Sequence, residues 1–170
     1  ELNATLRQDF DIQAPKIAVL SLNPHNGDGG LLGTEEIRDI KPAIEELGDK
    51  FLVFGPFAAD GFFASHSWRK YDGVIAMYHD QGLAPFKALA GPEGVNFTAG
   101  LPFVRTSPDH GTGNDIAWQG VADPQSMRQA IYSAIDLTRN RRRNIEAAAN
   151  PLPRMPERPD RGERRGAPQE

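Results

Sequence analysis

The apolar run IAVLSL at residues 17–22 constrains this chain more than any other feature. Pro15 closes it on one side and Asn23-Pro24 on the other, so it is too short for a stable helix and the right length for a buried strand. Two similar runs follow: FLVF at 51–54, stopped by Gly55-Pro56, and VIAMY at 74–78. Residues 95–97 and 104–106 are shorter strand candidates. Helical patterns lie between them. Thr34 is placed to cap a helix whose first turn carries Glu35 and Glu36, acids that suit the positive helix end. Ile37, Ile40, Ile44 and Leu47 keep a helical period, and Pro42 should kink or restart that helix. Asp123-Pro124 opens the clearest helix, with Asp as cap and Pro in the first turn. Its expected apolar face is Met127, Ile131, Ala134, Ile135 and Thr138, and Arg139 and Arg141 to Arg143 are expected at its C-terminal end. Strands alternating with helices predict an α/β layered domain.

The length of 170 residues suits one domain with a real core, and 39% apolar with 25% charged residues suits a globular chain on the polar side. A net charge of −4 gives no general attraction to nucleic acid. No apolar run approaches the roughly 20 residues that span a bilayer. Without cysteine there is no disulfide, thiolate metal site or cysteine nucleophile. Composition turns rich in Pro, Arg and Glu after Asn150. The expected organisation is therefore a domain over 1–150 and a disordered Pro/Arg-rich tail over 151–170.

Polar residues gather just after the strand candidates. NPHNGDGG at 23–30 follows the first and YHDQG at 78–82 the third. In open α/β sheets ligands bind outside the carboxyl ends of the strands, so these two loops can converge. Imidazole is a common ligand for zinc-like ions. His25 and His79 are thus candidate metal ligands, with Asp28 and Asp80 as neighbouring oxygen donors and a third ligand required from elsewhere. Spacing alone leaves open the plainer alternative of two hydrogen-bonded loop histidines. His66 lacks glycine-rich or acidic company and reads as a surface residue. The 27–33 loop is glycine-rich but is neither GxGxxG nor a P-loop, so by itself it reads as a turn. Lys87, Asn96 and Arg105 suit an anionic substrate, with ordinary surface charge as the alternative. DHGTGND at 109–115 is a third polar loop, where Asp115 suits a ribose hydroxyl or a helix cap.

Taken together, NPHNGDGGLLG at 23–33, GPFAAD at 55–60, MYHDQG at 77–82, GVN at 94–96, GLP at 100–102 and RTSPDHGT at 105–112 resemble, in order and spacing, the 4-hydroxythreonine-4-phosphate dehydrogenase family of vitamin B6 biosynthesis. The resemblance runs from about Leu6 to Asn150 and corresponds to the C-terminal half of the family chain. It implies an isocitrate/isopropylmalate dehydrogenase-like fold, α/β/α layered, that binds NAD without a Rossmann motif. It further implies a cytoplasmic homodimer with a shared active site. The implied reaction is NAD-dependent oxidation of the small phosphorylated hydroxy-amino acid 4-phosphooxy-L-threonine to a 2-amino-3-oxo acid that decarboxylates. A divalent metal (Zn, or Mg/Co) is held in the family by three histidines, two of which match His25 and His79. The family's substrate residues match Lys87, also a catalytic candidate, together with Asn96 and Arg105. His110, Gly111, Thr112 and Asp115 match the segment that holds the adenosine part of the cofactor, and Asp60 and Asp80 match acids near the site.

Two departures bear on function. The family's first half, which supplies the third histidine, has no counterpart in these residues. Gly113-Asn114 and Trp118-Gln119 also stand where relatives often carry other residues. The expectations left open are a dehydrogenase of the B6 pathway, a dehydrogenase of a related phosphorylated hydroxy acid or dihydrodiol, a catalytically incomplete fragment, and a metal-dependent hydrolase.

Overall fold

The computed structural model describes residues 1–152; the greater part of the expected disordered tail, from residue 153 on, lies outside the described residues. Three parallel strands form the main sheet: β1 (Lys16–Leu20), β2 (Leu52–Phe57) and β3 (Gly73–Ile75), in the order β2-β1-β3. The central strand is the apolar run at 17–22, and its Ile17, Ala18, Val19 and Leu20 are all buried. Burial on both faces is what a parallel strand requires, and it explains why the run does not alternate. Leu20 and Ala18 pack on one face with Phe62 of α3 (Ala59–Ala64) and with Phe57, Trp68 and Tyr71. Ile17 and Val19 point to the other face, toward Ile44 and Leu47 of α2 (Lys41–Gly48) and Leu2 of α1 (Leu2–Gln8), across a cavity of about 420 Å³. Helices therefore cover both faces of an α/β fold.

The remaining elements are α4 (His79–Ala90), an antiparallel pair β4 (Val95–Phe97) and β5 (Thr106–Pro108), and the long α5 (Gln125–Ala149). Thr106 Oγ1 donates to the Ala130 carbonyl at 2.8 Å, which seats α5 against β5.

Several local expectations are corrected. Strand β2 does not stop at Gly55-Pro56. It runs through a cis Gly55-Pro56 bond to Phe57, whose carbonyl accepts from Ser21 N at 2.8 Å. Gly55 (φ +137°) has to be glycine there, because a Cβ would lie 2.4 Å from the Val19 carbonyl oxygen. Strand β3 is shorter than 74–78, since Met77 N donates to the Gln81 side chain instead of to a strand. Thr34 contributes its carbonyl, not its hydroxyl, to the following turn, and Glu35 precedes a π-helical turn at Glu36–Ile40. Pro42 then starts α2, where its missing N–H costs nothing. In α5, Asp123 does accept from Gln125 N at 2.9 Å. The expected apolar face, however, is turned outward: Met127, Ile131, Ile135 and Thr138 are exposed, Ala134 is half-buried, and Ser126, Ala130 and Leu137 are buried. Ala130 takes the position against β5, where its small side chain lets the two backbones approach. The helix also continues to Ala149, so Arg139 and Arg141 to Arg143 lie well inside it and not in its last turn.

Candidate active site at the carboxyl ends of the strands

The loop after β1 and the loop after β3 lie side by side because their strands are neighbours. His25 sits in the first loop, and His79 is the first residue of α4, directly after the second. Both are exposed, and neither imidazole has a hydrogen-bond partner among the described residues. Gln81 ties the two loops together: its Nε2 donates to the Ser21 carbonyl at 2.7 Å while its Oε1 accepts from Met77 N at 2.8 Å. Asn26 Nδ2 donates to the Pro56 carbonyl at 2.9 Å, fixing the His25 loop to the end of β2. His25, Asp60, Tyr78 and Gln81 line one cavity of about 310 Å³.

Beneath this cavity lies a buried carboxylate. Glu36 is completely buried; its Oε1 accepts from Asn23 N at 2.7 Å and its Oε2 from Asn23 Nδ2 at 2.9 Å. Desolvation is the largest single influence on its pKa and pushes it up. The hydrogen bonds from Asn23 and the backbone together outweigh it and hold the carboxyl below its ordinary value of 4.5. A carboxyl whose folded pKa is depressed stabilises the fold above its unfolded pKa, and that stability is lost as pH falls through the folded pKa. Glu36→Gln should therefore flatten the acid limb of stability below that ordinary value of 4.5. Denaturant midpoints measured across that range check this, and an unchanged acid limb contradicts it.

The other candidates occupy different places. Lys87, just over two turns along α4 from His79, donates from Nζ to Asp109 Oδ2 at 2.8 Å and to the Asp109 carbonyl at 3.1 Å. Asn96 on β4 is exposed, opposite Ser107. Arg105 is exposed and donates to Thr98 Oγ1 at 2.8 Å. His110, Gly111, Thr112 and Asp115 line a larger cavity of about 660 Å³, with Trp118 at its lip. Trp118 is fully exposed at φ +64°, a backbone region that a bulky residue rarely takes. Neither His79, Lys87, Asn96 nor Arg105 lines the cavity that holds His25. His66, as expected, is a surface residue, with Nδ1 3.1 Å from the Ala64 carbonyl oxygen. Glu36 and Gln81 were missed as site residues, although GTEEI and MYHDQG contain them; their signal is acid or amide next to a metal-type histidine loop.

A divalent ion suits the donors present. His25 and His79 offer two ring nitrogens at adjacent strand ends. Among the described residues no group of three or more His, Asp or Glu is close enough to hold an ion, so a site at these two would need further donors.

An open parallel sheet with a cavity at the carboxyl ends of its strands, lined by His25, defines a ligand-binding α/β layer. The family model described as pyridoxal phosphate biosynthetic protein PdxA matches residues 1–134, and the chain belongs to that family. A 4-hydroxythreonine-4-phosphate dehydrogenase from Bacteroides thetaiotaomicron is 63% identical over 148 residues, 86% of this chain and 41% of that protein. One from Prosthecochloris aestuarii is 56% identical over 140 residues, 82% of this chain and 41% of that protein. The crystal structure of the Klebsiella pneumoniae 4-hydroxythreonine-4-phosphate dehydrogenase superposes with a TM-score of 0.69 at 47% identity, covering 80% of this chain and 41% of that one. A terephthalate 1,2-cis-dihydrodiol dehydrogenase from Burkholderia xenovorans gives a TM-score of 0.56 at 35% identity, covering 75% of this chain and 40% of that one. The chain thus spans less than half the length of the relatives it matches.

Proposed function

We propose that this chain carries the ligand-bearing C-terminal half of an NAD-dependent, divalent-metal-dependent dehydrogenase that oxidises the secondary hydroxyl of 4-phosphooxy-L-threonine in vitamin B6 biosynthesis. The observation that carries this is the placement of His25 and His79 at the carboxyl ends of neighbouring parallel strands, in a chain of this family. In this reading His25 and His79 hold the ion together with donors from outside the described residues. When bound, the ion supplies positive charge that lowers the pKa of an adjacent hydroxyl and stabilises negative charge on an oxygen.

The chain's own groups do the rest. Lys87, Asn96 and Arg105 bind and orient the substrate's anionic groups, Lys87 by exchanging or sharing its present partner Asp109. The loop at 109–115 accepts the adenosine part of NAD, where its glycines let a ligand lie against the backbone. The site is completed in a homodimer, as the resemblance implies, which accounts for His79, Lys87, Asn96 and Arg105 lying outside the cavity that His25 lines.

Titrating NAD into this chain should quench tryptophan emission, because Trp118 stands at the lip of the 109–115 cavity while Trp68 is half-buried against the core, away from it. The quench should vanish in Trp118→Phe, and saturable quenching that survives in that variant would place the cofactor elsewhere. Turnover is tested in the Bacteroides thetaiotaomicron relative with its matched segment replaced by this chain, following NADH formation. The dihydrodiol relative is the second reading, disfavoured by its lower identity. Turnover of a dihydrodiol without turnover of the phosphothreonine compound would select it.

A further inference from the structure

Residues 25–29 pass through the left-handed region five times in succession: His25 (φ 52°, ψ 31°), Asn26 (60°, 32°), Gly27 (76°, 1°), Asp28 (46°, 55°) and Gly29 (66°, 15°). Left-handed helical backbone is unfavourable for an L residue, and three of these five are not glycine. Such a turn persists only where its surroundings over-determine it.

The surroundings converge on Glu36. Its carboxylate accepts both the backbone and the side-chain N–H of Asn23, which lies two residues before His25. It also abuts the middle of the turn: a Cβ on Gly27 would lie 2.8 Å from Glu36 Oε2 and 2.6 Å from the Gly33 carbonyl oxygen. Glu36 is completely buried, and among the described residues no Lys or Arg pairs with it. Burying a carboxylate with no counter-ion is costly, so a hydrophobic residue would serve better if filling space were its task. Glu35 adds one bond to Asn23 Nδ2 at 2.8 Å from a less buried position.

We propose that Glu36 is a positioning residue: it clamps the entry of the left-handed turn and backs its centre, so that His25 is presented to the cavity at the end of β1 in a fixed orientation. This rests on the reading of His25 as a metal ligand. Glu36 bonds Asn23 and not an imidazole, so it acts on the loop that carries His25, as outer partners orient metal-binding histidines elsewhere.

The test uses this chain in place of the matched segment of the Bacteroides thetaiotaomicron relative, with zinc ion as the only ligand, followed by the imidazole NMR resonances of His25 and His79, with hydrogen exchange over 23–33 read in parallel. Zinc should move both histidines in the unaltered chain, and His25→Ala should weaken the response of His79. In Glu36→Gln the zinc midpoint should rise by about 10–100-fold, the range for loss of an outer partner. Exchange over 23–33 should speed up while Lys16–Leu20 stays protected and NAD quenching is unchanged. Gly27→Ala, which disturbs the same turn and keeps Glu36, should behave alike and covers the case in which Glu36→Gln fails to fold. If zinc does not move His25 in the unaltered chain, the metal reading fails. If zinc binds there and both variants keep its midpoint and the exchange pattern, the positioning role alone is overturned.

Discussion

Asp9→Ala should destabilise this chain by about 3–5 kcal/mol, the cost of leaving one member of a buried ion pair without its partner. Asp9 follows α1, and its side chain is 3% exposed. Arg141, on the middle of α5, donates Nε to Asp9 Oδ1 at 2.7 Å and Nη2 to Oδ2 at 2.6 Å, a two-pronged pair. Those hydrogen bonds raise the Arg141 pKa above its ordinary value, so the guanidinium stays charged. Its Nη1 is held by the Leu101 carbonyl at 3.0 Å, and Asn140 Nδ2 donates to the Asp9 carbonyl at 3.0 Å. Removing the carboxylate would strand a charge that water barely reaches. Set against a total stability of roughly 5–15 kcal/mol, that loss is large. Asp11→Ala is the matched control. It removes the neighbouring pair with Arg143, whose side chains are 38% and 61% exposed, and exposed pairs contribute about 0–1 kcal/mol. Urea midpoints of the two variants measure the difference, and equal midpoints would show that the Asp9 pair contributes no more than a surface one.

His25→Ala and His79→Ala should each lower kcat/KM of the assembled enzyme by more than the roughly 10–100-fold that loss of a mere outer partner of a metal ligand causes. The stability of this chain should hardly change, because both side chains are exposed and without protein partners among the described residues. The two substitutions should also be strongly non-additive, as is usual for residues that act as a unit. The double variant should be little worse than either single one. The assay is NADH formation in the relative carrying this chain, with zinc content determined alongside. Full activity in either single variant, or multiplicative losses in the double one, would separate the two histidines and remove the shared-ion reading.

Much of this was legible along the chain. The run at 17–22 became the central buried strand because four consecutive apolar residues have only one economical place in an α/β layer, between two covered faces. The histidine loops were legible from their position after strands, and the 109–115 segment from its glycines and its order among the motifs. The misses share a cause: local pattern does not fix which partner an element meets. The apolar period of α5 is real, yet β5 needs close backbone approach and takes the Ala130 face, leaving Met127, Ile131 and Ile135 outside. Gly55-Pro56 reads as a strand breaker, but Phe57 continues the strand because its carbonyl finds Ser21 N.

His25 shows where the boundary falls. Its residue type, its loop and its company in NPHNGDGG follow from the sequence, because imidazole chemistry and glycine freedom are properties of single residues and their neighbours. Its orientation does not. The left-handed turn that carries it is locally unfavourable, and it exists because Glu36, thirteen positions from Asn23, and Pro56, thirty from Asn26, supply hydrogen bonds at distances only the folded chain creates. Likewise Asp9 and Arg141 are ordinary surface-type residues until the fold places α1 against α5 and removes the water between them.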